Sequence, residues 1–247
     1  MQTPQALTPR RAVIGRREIA RARELIGRLG LAMPGDAVPF ACAMQPFAAM
    51  LLENLDMPSG HAVLVHEALA LECSAMPPPD AEFEVAGIRR IADDLQSFEL
   101  SAGGDAGRAI GLSARIRTAP PALLARRAGA QRLRGALVAS VAIEARTLAD
   151  YAELSGDENP IHLDHELACS LGLPAPVIHG SLLAFLIEPV VGAPSGALRR
   201  LGMRFLAPAF AGERLHLHVA RVAGAPGARV IIAAEGGPVC CVAEAVF

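Results

Sequence analysis

Residues 151–185 have the sequence YAELSGDENPIHLDHELACSLGLPAPVIHGSLLAF, and this stretch indicates the fold. A short helix is expected to end before Gly156, because glycine commonly terminates a helix in a left-handed conformation. After a polar turn, Asp164 is suited to cap a second short helix that stops at Gly172. A third helix begins near Gly180 and is apolar on almost every side, so we expect it to be buried.

The segments on either side of this stretch are strand-like. Before it, residues 140–145 (SVAIEA) alternate as a half-buried strand does, and Thr147 with Asp150 forms a capping-box start for the next helix. The third helix is expected to end at Pro189. Four further alternating segments follow: 197–208, 213–222, 228–235 and 238–247. A buried helix beside a mainly antiparallel sheet predicts the α+β class, with the sheet wrapped around the helix.

The first half of the chain repeats this order faintly. An apolar helix is predicted around residues 40–55, and four strand-like segments follow at 61–72, 81–91, 97–102 and 109–118. Residues 119–135, rich in Pro, Ala, Arg and Gly, form a connector between the halves. We therefore expect two lobes, a divergent one over residues 1–125 and a second over residues 126–247. The connector contains four arginines: Arg126, Arg127, Arg132 and Arg134. We interpret them as a solvated face, and the alternative is that they attract the phosphates of a carrier such as coenzyme A.

The overall composition excludes several functions. With 247 residues, 52% of them hydrophobic, the chain can bury a sizeable core. A net charge of −2, no Trp and a single Tyr argue against nucleic-acid binding. All 23 basic residues are Arg, which excludes Schiff-base chemistry, pyridoxal phosphate attachment and the phosphate-binding lysine of nucleotide loops. No cofactor is expected.

The five cysteines and the apolar runs indicate where the protein resides. The cysteines are odd in number, lack metal-ligand spacing and lie mostly in apolar stretches, so we expect buried free thiols in a reducing compartment. The first residues lack the apolar segment of a signal peptide, and no apolar run is long enough to span a bilayer. We expect a soluble cytoplasmic protein without membrane contact. His216 and His218 have no third partner nearby in sequence, so no metal site is expected.

The stretch from Tyr151 resembles the MaoC-like family of (R)-specific enoyl-CoA hydratases, whose fold is the hot dog. The resemblance covers about residues 140–247 and implies one active site per chain within a double hot dog whose N-terminal half is divergent. The first half lacks the motif, and VHE at 65–67 resembles an H-G pair only weakly because Glu67 replaces the glycine. The matching positions are Ser155, Gly156, Asp157, Asn159, Pro160, Ile161, His162, Asp164, Ala168, Gly172, His179 and Gly180.

The resemblance also implies roles for individual residues. Asp157 and His162 would form the catalytic acid-base pair, and the backbone N–H of Gly180 would stabilise the negative charge on a thioester oxygen. Hydration of an α,β-unsaturated thioester needs a base that deprotonates water and an acid that protonates the α-carbon. Asp157 is the expected base and His162 the expected carrier of the α-proton, with the alternative that both act on one shared water. Four neighbouring residues are expected to bind the substrate: Asn159, Pro160, His179 and Ser181. For His179, a structural hydrogen bond before the helix is favoured over a role as a second base.

Each motif residue also has a plainer interpretation, since Asp, Asn and Pro form ordinary turns and a histidine can be structural. The expected partner is an acyl-CoA or an acyl carrier protein thioester, and two lobes in one chain are compatible with either a monomer or a homodimer. Sequence does not separate a CoA hydratase from a 3-hydroxyacyl dehydratase that acts on acyl carrier protein. A hot-dog thioesterase and a non-catalytic acyl-thioester binding module are further alternatives.

Overall fold

A computed structural model describes residues 3–58, 62–104, 107–125, 133–192, 198–221 and 226–247. These residues form one antiparallel sheet of ten strands and seven α-helices, with 3-10 turns at Phe40–Met44 and Pro160–His162. The strands are β1 Gln5–Ala12, β2 Val63–Cys73, β3 Phe83–Ala92, β4 Leu95–Gly104, β5 Gly107–Ala119, β6 Ala136–Ala142, β7 Arg200–Phe205, β8 Arg214–Arg221, β9 Gly227–Ala234 and β10 Val239–Val246. The helices are α1 Arg16–Arg28, α2 Gln45–Asn54, α3 Pro121–Ala125, α4 Ala145–Ser155, α5 His165–Ser170, α6 Gly180–Phe185 and α7 Ile187–Val191.

The strand order contains an internal repeat. Across the sheet it is β1-β3-β4-β5-β2-β7-β10-β9-β8-β6. Numbered within its own half, each set of five strands has the order first, third, fourth, fifth, second, and the two sets meet through their second strands. Helices lie between the first and second strand of each half. The chain therefore contains two copies of one topology, related by an approximate twofold axis between β2 and β7.

The buried face of the sheet is formed by alternating apolar side chains, as expected for strands with one face in a core. At the junction of the halves, Leu71 of β2 lies opposite Leu201 of β7, and neither is exposed. Helix α2 contacts β1 and β4, and α7 contacts β8, β9 and β10. One hydrophobic core contains residues of both halves. The α+β class and the large antiparallel sheet with few helices are confirmed.

Several element boundaries differ from the sequence expectations. Helix α4 begins at Ala145 with Glu144 as its N-cap, so the predicted capping-box start at Thr147 is wrong: Thr147 lies inside the first turn. Pro189 does not end the third helix, because that helix is interrupted at Leu186. Pro189 instead lies in the first turn of α7, where no backbone N–H is needed. The predicted cap by Asp164 is confirmed, since its Oδ1 accepts the N–H of Leu167 at 3.0 Å.

The connector arginines and the cysteines were also assigned from the sequence. Arg126, Arg127 and Arg132 of the connector lie outside the described residues. Four of the five free cysteines are buried as expected, but Cys169 on α5 is exposed. No helix in the described ranges is long and apolar enough to cross a membrane.

Candidate active site

The loop after α4 positions Asp157 through local backbone hydrogen bonds. Gly156 ends the helix with φ +74°, a conformation that favours glycine, and its N–H donates to the Ala152 carbonyl at 2.8 Å. The Ser155 hydroxyl accepts the N–H of Asp157 at 3.2 Å, and Asp157 Oδ1 accepts the N–H of Asn159 at 3.4 Å. These bonds make a tight turn in which the second carboxylate oxygen of Asp157 remains available.

A single 3-10 turn then brings His162 to the same place. Asn159 caps this turn, because its side-chain oxygen accepts the N–H of Ile161 at 3.2 Å. His162 Nδ1 lies 2.6 Å from the carbonyl oxygen of Val177. A carbonyl only accepts, so Nδ1 carries the hydrogen and the neutral ring keeps Nε2 as an acceptor. Burial lowers the pKa of His162 below its usual value against the opposing effects of Asp157 and of the Val177 hydrogen bond, which favours this neutral form.

His179 contacts both Asp157 and His162 from outside the cavity. Its Nε2 donates to the backbone carbonyl of Asp157 at 3.0 Å, and its ring stacks on that of His162 with centroids 3.9 Å apart. Burial, and then the neighbouring His162, lowers the pKa of His179 to about 4. His179 is only 1% exposed and is absent from the cavity wall, unlike the other residues that the sequence assigned to the site. It therefore holds the loop and contacts no open space.

Asp157, His162 and His179 could be mistaken for a metal centre, because one potential ligand atom of each lies within 4.8 Å of the others. The ring planes of the two histidines are only 25° apart, however, and stacked imidazoles direct their nitrogen lone pairs side by side instead of toward one point. One nitrogen of each ring is already bonded to a backbone carbonyl. The geometry fits acid-base chemistry better than it fits tetrahedral coordination of an ion.

Gly180 and Ser181 begin α6 beside this pair. In the described ranges no group accepts the N–H of Gly180, and the side chain of Ser181 hydrogen-bonds to Tyr151. Burial raises the pKa of Tyr151, so its hydroxyl stays protonated. A Cβ placed on Gly180 would lie 3.1 Å from Cζ of Phe205 and 3.2 Å from Nδ1 of His66, which leaves little room for a side chain.

One cavity of about 680 Å³ joins these residues to an apolar region. The motif contributes its polar wall: Asp157, Asn159, Pro160, His162, Gly180 and Ser181. The first half contributes much of the apolar wall, from the 3-10 turn Phe40–Met44, α2 with its C-cap, β2 and β5: Met44, Ala48, Leu51, Leu52, Leu55, Leu64, Leu69, Leu112 and Ile116. A mainly apolar cleft with a few convergent polar groups is the usual form of a small-molecule site.

His66 of β2 also lines the cavity, and sequence reasoning missed it. Counting alternately back from buried Leu69 would direct Glu67 inward and His66 outward. A β-bulge at Glu67 inserts one extra residue, so His66 pairs with buried Ile116 and faces inward. Glu67 instead pairs with Arg115 and Arg117. A histidine within an apolar strand was the available signal, but the bulge that directs it is not visible in the sequence.

Comparison with known proteins relates the residues of this site to one family model. Residues 134–236 match the model described as MaoC like domain. This part of the chain is therefore similar to MaoC-like domains. The chain is 41% identical over 68 residues to the peroxisomal enoyl-CoA hydratase 2 of Arabidopsis thaliana, a match covering 25% of the chain and 22% of that protein. It is 35% identical over 79 residues to the (R)-specific enoyl-CoA hydratase of Aeromonas caviae, covering 30% of the chain and 59% of that protein.

These curated relatives are thus matched over 22% to 59% of their own lengths. Solved structures match the whole fold. The crystal structure of HtdX of Mycobacterium tuberculosis has a TM-score of 0.74 at 19% identity and covers 99% of both chains. The 12:0-ACP thioesterase of Umbellularia californica has a TM-score of 0.63 at 8% identity, covering 97% of this chain and 96% of its own. The fold by itself therefore does not separate hydration from thioester hydrolysis.

Proposed function

We propose that the protein adds water reversibly to trans-2-enoyl thioesters, giving (R)-3-hydroxyacyl thioesters. The observation that carries the proposal is the convergence of Asp157 and His162 on the wall of one mainly apolar cavity, beside the N–H of Gly180. The names of the matched relatives, enoyl-CoA hydratases, support the same class of reaction.

The proposed catalytic pair acts on one water molecule. The Asp157 carboxylate accepts a hydrogen bond from this water and orients it, while Nε2 of neutral His162 takes a proton as the water oxygen bonds to C3 of the substrate. The electron pair of the C2–C3 double bond moves toward the thioester carbonyl, giving an enolate. His162 then returns its proton to C2, and the carbonyl re-forms. In dehydration His162 removes the C2 proton and passes it to the departing hydroxyl.

The remaining site residues hold this arrangement. The N–H of Gly180 donates to the thioester oxygen, where negative charge develops, and this stabilisation is strongest in a site shielded from water. Asn159 and Pro160 shape the turn that carries His162, and Ser181 lies beside the thioester. His179 is assigned as a positioning residue, because it holds the Asp157 carbonyl and stacks on His162 without reaching the cavity.

We assign the architecture as a double hot dog, with a divergent lobe at residues 1–125 and the catalytic lobe at 126–247. The repeated strand order supports this assignment. The first lobe holds no copy of the motif and supplies apolar side chains to the cavity, so its role is to shape the acyl tunnel.

Two carriers fit the same substrate chemistry. Coenzyme A and acyl carrier protein present the same phosphopantetheine arm, so dehydration of a 3-hydroxyacyl group on acyl carrier protein is the second candidate for the same site. A cytoplasmic location and a homodimer stay predictions.

An assay with 2-enoyl-CoA of four and ten carbons tests the proposal. We expect the conjugated enoyl absorption to disappear without release of free thiol, and the product to be the (R)-alcohol. Asp157→Asn and His162→Ala should each lower kcat by about 10²- to 10⁴-fold, the usual contribution of a general acid-base group, with melting temperatures near that of the unmodified protein. Thiol release would identify a thioesterase instead, and binding without turnover at either length would identify a binding module.

A further inference from the structure

The side chain of His66, from the first half of the chain, contacts the start of α6. Its Nδ1 lies 3.2 Å from the position that a Cβ on Gly180 would occupy, and its ring lies 5.9 Å from that of Phe205, centroid to centroid. In the described part of the chain no group accepts a hydrogen bond from either nitrogen of its ring. The imidazole is therefore placed at the site with its hydrogen-bonding capacity unused.

The distance places His66 Nδ1 and the Gly180 N–H within reach of one oxygen atom. Within a residue, the backbone N and the Cβ position are roughly 2.5 Å apart. The nitrogen of Gly180 and Nδ1 of His66 are thus separated by at most about 5.7 Å. Two N–H···O bonds of about 2.9 Å that meet at a single oxygen can span such a separation. Both groups line the same cavity, so such an oxygen would belong to a bound ligand.

His66 is suited to donate a hydrogen bond as a neutral imidazole. Burial lowers the pKa of His66 below its usual value, and Asp157 opposes this effect only in part. A neutral imidazole donates one N–H and leaves no competing positive charge beside His162.

The bulge at Glu67 explains why the side chain of His66 faces the cavity. Glu67 pairs with Arg115 at 3.4 Å and with Arg117 at 2.5 Å, and Arg117 also pairs with Asp94. These ion pairs hold the Glu67 carboxylate against two arginines of β5 at the position of the bulge. His66 takes the inward position as a result.

We propose that His66 donates the second hydrogen bond to the thioester oxygen held by Gly180, so that the oxyanion site is assembled from both halves of the chain. The proposal rests on the hydratase function above and adds a catalytic residue to it. It assigns the first half a direct part in the chemistry in addition to its part in shaping the acyl tunnel.

Two variants of matched size test the donor. His66→Asn keeps an N–H group near the position of Nδ1, whereas His66→Leu has a similar volume and no donor. We expect His66→Leu to lower kcat for a 2-enoyl-CoA by about 10²- to 10³-fold with little change in KM, the usual effect of losing one oxyanion donor. His66→Asn should recover at least tenfold of that loss. Equal kcat values for both variants, within twofold of the unmodified protein, would overturn the proposal.

A spectroscopic readout separates this inference from the hydratase function. In an Asp157→Asn background, bound 2,4-hexadienoyl-CoA should absorb at longer wavelength than the free ligand, because donors to the carbonyl polarise the conjugated chain. Adding His66→Leu should remove at least half of this shift, and adding His66→Asn should retain it. If the unmodified protein hydrates no enoyl thioester, the hydratase proposal fails, while the absorption shift still reports whether His66 contacts a carbonyl. An unchanged shift with His66→Leu would reject the role of His66.

Discussion

At the scale of single residues, His179 shows how a group outside the cavity determines the chemistry inside it. Its hydrogen bond to the Asp157 carbonyl and its stacking on His162 connect the two proposed catalytic residues. The ring is buried, so its charged form is strongly disfavoured. The neutral state that the site requires is therefore also the state that favours folding.

This burial predicts a pH dependence of stability. The pKa of His179 is about 4 in the folded protein and about 6.5 when unfolded, so between these values the unfolded chain binds more protons. The free energy of unfolding should therefore fall as pH decreases from about 6.5 to about 4, by on the order of 1 kcal/mol per pH unit from this residue.

Urea unfolding of the unmodified protein, His179→Asn and His218→Asn at several pH values measures the effect. Subtracting the curve of each variant from that of the unmodified protein removes the contributions of other titrating groups. His179→Asn should flatten the dependence, and the control His218→Asn, at a half-buried position of β8, should retain it. A parallel slope in His179→Asn would contradict the prediction.

The motif residues could be identified from the sequence because they are contiguous: Asp157 and His162 are five positions apart in one turn, and local hydrogen bonds set their geometry. The inward direction of His66 could not be predicted, since it depends on a bulge and on contacts with a strand from the other half. The stacking of His179 on His162 could likewise not be predicted, because residue spacing does not specify it.

At the scale of elements, the 3-10 turn Pro160–His162 is the smallest unit that carries catalytic geometry. Its only side-chain cap is Asn159, whose oxygen accepts the N–H of Ile161. A turn this short has few backbone hydrogen bonds of its own, so the cap determines the position of His162.

Replacing this cap should affect stability and activity together. Asn159→Ala should lower the free energy of unfolding by about 1 kcal/mol, and Asn159→Ser, which keeps an acceptor, should lose much less. We expect kcat to fall about 10- to 100-fold in Asn159→Ala, because small displacements of a catalytic group are costly. Urea unfolding and steady-state kinetics on the same preparations check both effects. Loss of stability without loss of kcat would show that the cap does not position His162.

Elements with clear alternation were predictable, and weakly patterned ones were not. The four strands after the third helix appear where their apolar alternation indicated. Strand β1 (Gln5–Ala12) was missed because Leu7 is its only buried side chain, so it carries almost no alternating signal. The helix start at Glu144 was also missed, since its side chain makes no capping hydrogen bond that a sequence motif could reveal.

At the scale of the whole molecule, the two halves share hydrogen bonds, ion pairs and a core. Strands β2 and β7 pair directly. Arg28 of α1 contacts Asp150 of α4 at 2.7 Å, and the N–H of Phe40 donates to the buried carboxylate of Glu188 at 2.6 Å. Because these contacts join the halves from several directions, we expect them to unfold together.

A cavity at the junction tests this cooperativity. Leu71→Ala on β2 should lower stability by about 2–5 kcal/mol, the range for large-to-small core substitutions. Tyr151 is the only tyrosine and the chain has no Trp, so the tyrosine signal in the near ultraviolet reports on the second half. The Tyr151 transition should shift with the far-ultraviolet transition, and the exposed control Leu123→Ala should shift neither by more than about 0.5 kcal/mol. If the Tyr151 transition does not shift in Leu71→Ala, the two halves unfold independently.

The internal twofold axis also determines how the sequence is free to vary. When two identical subunits make such a sheet, every substitution is inherited by both copies at once. Here each position of the repeated topology is encoded twice. One copy is therefore able to retain an acidic loop while its counterpart accumulates bulky aliphatic side chains, a division of labour that a symmetric pair of subunits has no means to encode.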